Sequence, residues 1–259
     1  MLSVIIPTYG RTSSLDRLLK ALRSQTLKDI EIIVVDQNRE GFLTAALSDH
    51  LGMVRHIRVD EPNVSLARNV GFVSSSGSQI LFLDDDMSPD LEFCAKGAGL
   101  LTKFAQVNCL CALVYTSVAE LEAIRAVDHT DATWYSRTFG LSKPGVPSWY
   151  QKRNMTGRRI SGAEIYEVKD CPSGATFFSK SFFARSGGFD EILFRYARTA
   201  EDQELFSRMY GRGMRMWFAR DLTVYHDHDS PGGCDLRSGD YWLTRERCVK
   251  AWAFRHRVH

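Results

Sequence analysis

The sequence predicts an α/β fold built on a mostly parallel, doubly wound sheet. Three observations predict it: short Ile- and Val-rich runs recur through the first hundred residues, amphipathic helical patterns separate them, and carboxylates or polar residues follow the runs. Residues 3–6 and 30–35 are apolar runs of the kind buried on both sheet faces. Between them Leu15, Leu18, Leu19 and Leu22 fall on one helical face, with Thr12, Ser13 or Ser14 as the expected cap. A third run, 54–59, precedes a helix in which Leu66, Val70 and Val73 share a face, Ser65 is the expected cap and residues 74–77 break the helix. Residues 79–83 form the next strand and lead directly into Asp84.

Further along, 90–104 reads as a helix and 107–114 as a strand. From 116 to 168 the periodicity weakens, and Trp134, Tyr135, Trp149 and Tyr150 stand among Gly, Pro and basic residues, the composition of an irregular binding lobe. Regular structure is expected again at 175–178, in a short helix to Arg185, in the turn Gly187-Gly188-Phe189-Asp190, and in a helix over 201–210 ended by Gly211 or Gly213. Two strands, 214–218 and 222–225, follow. No repeat or low-complexity segment interrupts this order.

With 259 residues and 44% hydrophobic composition, one large domain is the expected organisation: 1–115 as one half, 116–240 as the other, 241–259 as a terminal helix. A net charge of +2 sets up no basic field that would make nucleic acid the main partner. Met1 runs straight into a strand pattern without a leader, so the chain is expected to be cytoplasmic. Two readings are open for 241–259, where Trp242, Trp252 and Phe254 alternate with Arg and Lys: a basic helix in peripheral contact with an anionic membrane, or a helix docked on the domain. The six cysteines contain no CxxC pair and are expected to be buried or idle thiols; a Cys234–Cys248 bridge is open but unsupported.

In a doubly wound sheet, ligands gather beyond the carboxyl ends of the strands. Pro7, Thr8 and Tyr9 stand at the first such end, Asp36 and Gln37 at the second, and Asp84, Asp85 and Asp86 at the fourth. Three adjacent carboxylates repel one another unless a cation offsets them, and all-oxygen ligation suits Mg²⁺ or Mn²⁺; a solvated loop with a capping Asp explains the same triplet. Arg68 and Arg11 offer guanidinium groups to a phosphate. Glu201-Asp202 opens a helix, where acids serve either as a general base or simply as partners of the helix dipole. His226 and His228 share one side of the segment after the last strand; for His228 a surface loop is preferred.

Taken in order, Ser3-Val-Ile-Ile-Pro-Thr-Tyr9, Ile32-Ile-Val-Val-Asp36, Ala67-Arg-Asn-Val-Gly71, Leu81-Phe-Leu-Asp-Asp-Asp86, Ser173-Gly-Ala-Thr176, Gly187-Gly-Phe-Asp190, Glu201-Asp202 and Val224-Tyr-His226 resemble family 2 of the glycosyltransferases, which have the GT-A fold. The resemblance implies an inverting transfer from a nucleotide-diphosphate sugar, with a UDP-sugar expected, to a saccharide or lipid-linked saccharide hydroxyl, assisted by Mn²⁺ or Mg²⁺. It implies that Pro7, Thr8, Tyr9, Arg11, Asp36, Gln37, Arg68, Asp84 and Asp85 surround the nucleotide. Asp86, Asp84 and His226 are then the metal contacts, Asp202 the base, and Glu201 its neighbour at the acceptor. Gly174 and Trp149 are expected beside the sugars. Gln37 departs from the family, which commonly carries a second acid there, and weakens the expectation of uridine. A sugar nucleotidyltransferase is the enzymatic alternative, but the segment from Pro7 to Arg11 holds one glycine where a phosphate loop needs several. A catalytically silent carbohydrate-binding subunit is the other.

Overall fold

A computed structural model describes residues 1–125, 155–193 and 201–227. Its strands are β1 (Leu2–Thr8), β2 (Ile30–Asp36), β3 (Val54–Arg58), β4 (Gln79–Leu83), β5 (Met87–Pro89), β6 (Cys109–Tyr115), β7 (Met155–Arg159), β8 (Ile165–Val168), β9 (Ala175–Ser179) and β10 (Met216–His226). The helices are α1 (Thr12–Arg23), α2 (Thr44–Ser48), α3 (Val64–Ser74), α4 (Phe93–Lys103), α5 (Val118–Arg125), α6 (Lys180–Ser186) and α7 (Glu201–Gly211).

Among the described residues these strands form one sheet in the order β3-β2-β1-β4-β9-β6-β10-β8-β7, with β5 added to β10. The first four positions are parallel, as the alternation of strands and helices predicts. From β9 onward antiparallel pairs alternate with the parallel pair β6–β10, so the later half is mixed. Side chains alternate across the sheet with period two. Val4, Ile6, Leu81 and Phe177 enter a core shared with the leucines of α1 and with Phe93 of α4. Ile5, Ile33, Phe82 and Phe178 enter a second core with Phe183 of α6 and Leu205, Phe206 and Met209 of α7. Both faces are therefore sealed, and the strand ends are left to carry polar chemistry.

Several local expectations are corrected. Neither cap is the residue expected. At α1 the capping position is Arg11, with no side-chain cap hydrogen bond. At α3 the cap is Asn63, whose side chain accepts from the Leu66 N–H at 3.2 Å. Nor are Leu66, Val70 and Val73 the most buried residues of α3, although Val70 packs half-buried against the second core. The buried residues are Ser65, Ala67, Arg68 and Gly71, and Val73 is 80% exposed, because small residues let the helix lie close on β1 and β2. The two strands expected at 214–218 and 222–225 are a single strand, β10, whose register with β6 shifts between Ala219 and Thr223. At that bulge β10 leaves β8 and pairs with β5, which sets His226 opposite Met87. Cys111 and Cys171 form a disulfide 60 residues apart in sequence, where buried or idle thiols were expected; Cys94 and Cys109 are buried and free. No short spacing announces this bridge, because only the pairing of β6 with β9 brings the two cysteines together. Cys234, Cys248, Trp149 and segment 241–259 lie outside the described residues. Among the described residues no helix is long and apolar enough to cross a membrane.

Gly71 sets the approach of α3. A Cβ there would lie 2.3 Å from Ile5 Cγ2 and 3.2 Å from Val35 Cγ2, both on stiff β-branched side chains. Gly71→Ala is expected to cost about 1–3 kcal/mol through overpacking. Urea unfolding checks this, and an unchanged midpoint would show that α3 has room to move.

Candidate active site

The acidic turn after β4 is held from every side. The Asp84 N–H donates to the Gly174 carbonyl at 2.9 Å, just ahead of β9, and the Asp227 N–H donates to the Asp86 carbonyl at 3.0 Å, at the end of β10. Gly174 is required by proximity, since a Cβ there would stand 2.2 Å from Asp84 Oδ2. From β1, Thr8 Oγ1 donates to Asp85 Oδ2 at 2.7 Å. Arg11 reaches from the start of α1 with Nη1 3.0 Å from Asp85 Oδ1 and 2.6 Å from Asp86 Oδ2. His226 Nε2 lies 3.1 Å from the same Asp86 oxygen.

Arg68, buried in α3, joins this turn to the far end of the chain. Its Nη2 donates to Asp84 Oδ1 at 2.8 Å and its Nη1 to Glu201 Oε1 at 2.6 Å. Its guanidinium also lies over the Phe189 ring, 5.2 Å from the centroid. The next residue, Asn69, secures the glycine turn. Asn69 Nδ2 donates to the Phe189 carbonyl at 2.9 Å and to Glu191 Oε1 at 2.7 Å, while its Oδ1 accepts from the Phe189 N–H at 3.0 Å. On the opposite side Arg208 of α7 donates to the carbonyls of Ser186 and Gly188 and pairs with Glu204. Gly187 and Gly188 both take positive φ, which the turn requires and which glycine adopts without strain.

Asp36 ends β2 level with Thr8 of β1. One of its oxygens accepts from the backbone and side chain of Asn38, both at 2.8 Å, and the other lies 3.0 Å from His56 Nε2. The Gln37 N–H donates to the Thr8 carbonyl at 3.1 Å, so the ends of β1 and β2 share one rim. Pro7 pairs with Val35 inside the sheet, and Tyr9 is half-buried just beyond it. Sequence reasoning passed over Asn38, His56 and Asn69 as site-building residues. Asn38 lies two residues beyond Asp36, the spacing of an Asx turn, and was the legible signal; the contacts of His56 and Asn69 arise only in the fold.

Thr8, Arg11, Arg68, Asp84, Asp85, Asp86, Gly174, Glu201 and His226 thus fall in one connected polar network. The electrostatics within it are uneven. Burial pushes Asp85 up to about 7, against the pull of Arg11 and with help from the charge on Asp86. Burial also disfavours ionisation of Asp86, but the His226 hydrogen bond and the charges of His226 and Arg11 outweigh it and hold that carboxyl below its usual range. Partial burial disfavours the charged form of half-buried His226, yet the contact with Asp86 raises it. Asp202, half-buried beside Glu201, is pushed up to about 7 by burial, then by the carboxylates of Glu201 and Asp170, with Arg68 opposing. Two carboxylate oxygens, Asp86 Oδ1 and Glu201 Oε2, are buried and have no hydrogen-bond partner. Such atoms are costly to leave unmatched, and both belong to the network.

A mixed sheet with a parallel first half and an acidic turn at the strand ends is the GT-A glycosyltransferase fold. A crystal structure of GalNAc-T7 with UDP, GalNAc and Mn²⁺ superposes with a TM-score of 0.68 at 18% identity, covering 96% of this chain and 47% of that one. The chain belongs to glycosyl transferase family 2, whose model matches residues 3–186. Glycosyltransferase GlyA of Streptococcus pneumoniae is 31% identical over 219 residues, 81% of this chain and 28% of that protein. The GalNAc(5)-diNAcBac-PP-undecaprenol beta-1,3-glucosyltransferase of Campylobacter jejuni is 31% identical over 97 residues, 33% of this chain and 29% of that protein. The chain spans less than a third of either relative's length.

Because Arg68 is the shared partner of Asp84 and Glu201, Arg68→Met is expected to cost about 3–5 kcal/mol, the loss seen when one member of a buried ion pair is removed. Urea unfolding of the purified variant measures it. A loss below about 1 kcal/mol would show that the two carboxylates manage without the guanidinium.

Proposed function

We propose that the chain is an inverting glycosyltransferase that takes a sugar from a nucleotide-diphosphate donor, a UDP-sugar, and passes it to a hydroxyl of a saccharide or lipid-linked saccharide. The observation that carries this reading is the Arg68 bridge, which sets the Glu201-Asp202 end of α7 against the acidic turn after β4. In this reading residues 1–115 hold the donor and 116–240 face the acceptor. The UDP of the GalNAc-T7 complex and the undecaprenol-linked substrate named for the Campylobacter relative support the donor and acceptor classes.

The residues fit a divalent cation, Mn²⁺ or Mg²⁺. Asp86 offers a buried, unpartnered oxygen, and His226 stands 3.1 Å from the other. Among the described residues no three His, Cys, Asp or Glu side chains are already drawn together around a metal position, and Mg²⁺ or Mn²⁺ commonly takes one or two carboxylates with phosphate oxygens and water. Asp86, His226 and Asp84 are the residues that would hold it, and its chemistry is to offset charge growing on the departing diphosphate.

The chain's own groups do the rest. Thr8, Asp36, Gln37 and the half-buried Tyr9 form the rim at the ends of β1 and β2, where the nucleoside is recognised. Asp202 accepts the proton of the attacking hydroxyl, and Glu201, with one oxygen committed to Arg68 and one unpartnered, receives an acceptor hydroxyl. Attack from the face opposite the diphosphate inverts the anomeric carbon.

Asp202→Asn keeps the shape and removes the basicity. Transfer is expected to fall about 10²–10⁴-fold while UDP binding by calorimetry stays within about twofold. Asp202 must be ionised to accept a proton, so kcat/KM of the unaltered protein is expected to rise with pH and level off above about 7, as its raised pKa requires. Full turnover by the variant would overturn the assignment of the base.

A further inference from the structure

The acidic turn already contains a positive charge. Arg11 Nη1 lies 2.6 Å from Asp86 Oδ2, closer than His226 Nε2 at 3.1 Å, and 3.0 Å from Asp85 Oδ1. Both carboxylates are 4% exposed or less, whereas the arginine side chain is 17% exposed and so opens toward solvent. Asp86 therefore has two nitrogen partners, Arg11 Nη1 and His226 Nε2, crowded on one oxygen and none on the other, which is buried. A fully committed structural carboxylate would satisfy both oxygens. One side of Asp86 is matched by the protein, and the other lacks a ligand.

We propose that Arg11 is a resident counter-ion that occupies Asp86 until the donor arrives, so that metal and nucleoside diphosphate bind cooperatively and the metal alone binds poorly. The inference rests on the donor-and-cation reading above. A divalent ion entering by itself at Asp86 finds the guanidinium already 2.6 Å from one oxygen of that carboxylate, and two cations sharing one carboxylate repel where water is scarce. A diphosphate changes the balance by offering the guanidinium a bidentate anionic partner, for which its planar fork is suited. The arginine then moves from carboxylate to phosphate, and Asp86 is released to the metal. Coupling of this kind is reciprocal: UDP raises the affinity for the cation by the factor by which the cation raises the affinity for UDP.

The test is direct Mn²⁺ binding, read from the electron paramagnetic resonance signal of free Mn²⁺, on the whole chain without turnover. The unaltered protein is expected to bind Mn²⁺ at least about tenfold more tightly when saturated with UDP, a coupling within the usual range. Arg11→Met is expected to bind Mn²⁺ alone about tenfold more tightly than the unaltered protein and to show little further gain from UDP. Arg11→Gln, which keeps hydrogen bonding without charge, replaces it if the methionine variant fails to fold, with the same expectation. If UDP promotes Mn²⁺ binding equally in the unaltered protein and the variant, the counter-ion role is overturned while the donor-and-cation reading stands. If UDP-saturated unaltered protein binds no Mn²⁺, that reading fails and takes this inference with it.

Discussion

A single buried guanidinium holds the site together. Arg68 stays charged inside α3, which is costly without anionic partners, and it takes them from two places far apart in sequence, Asp84 after β4 and Glu201 at the start of α7. Everything around it serves to bring α3 close enough. Ala67 and Gly71 present no bulk to β1 and β2, and Asn63 caps the helix while reaching the Glu191 carbonyl at 2.9 Å. Asn69 then pins the glycine turn that precedes α7. One helix thus contacts the acidic turn, the glycine turn and the first residue of α7.

The site as a whole is short of positive charge. Asp84, Asp85, Asp86, Glu201 and Asp202 gather around Arg11, Arg68 and His226, and they titrate unequally: burial above all raises Asp85 and Asp202, while the contacts with His226 and Arg11 lower Asp86 against its burial. Perturbed titration gathers more often at functional sites than elsewhere. The orphaned oxygens of Asp86 and Glu201 belong to the same group of residues.

Much of the first half was legible because parallel strands buried on both faces leave continuous Ile and Val runs, and because helices between them carry leucines at three-and-four spacing. The later half was harder. β5, β7 and β8 are short strands whose existence depends on partners, and β10 carries a bulge that reads in sequence as a gap between two strands. The acidic triplet, Glu201-Asp202 and His226 were visible as polar residues at element ends. Their mutual contacts were not, since no local pattern says that Arg68 bridges Asp84 to Glu201 or that Arg11 reaches Asp86. The Cys111–Cys171 bridge was hidden for the same reason.

The account turns on Asp84 and Glu201 sharing one guanidinium, and a double-mutant cycle with Asp84→Asn and Glu201→Gln measures that sharing most directly. Unfolding free energies of the two single variants and the double variant should depart from additivity by about 0.5–3 kcal/mol, because the second loss leaves Arg68 buried with no counter-charge. Losses that add to within about 0.3 kcal/mol would contradict it, showing that the acidic turn and α7 are energetically separate.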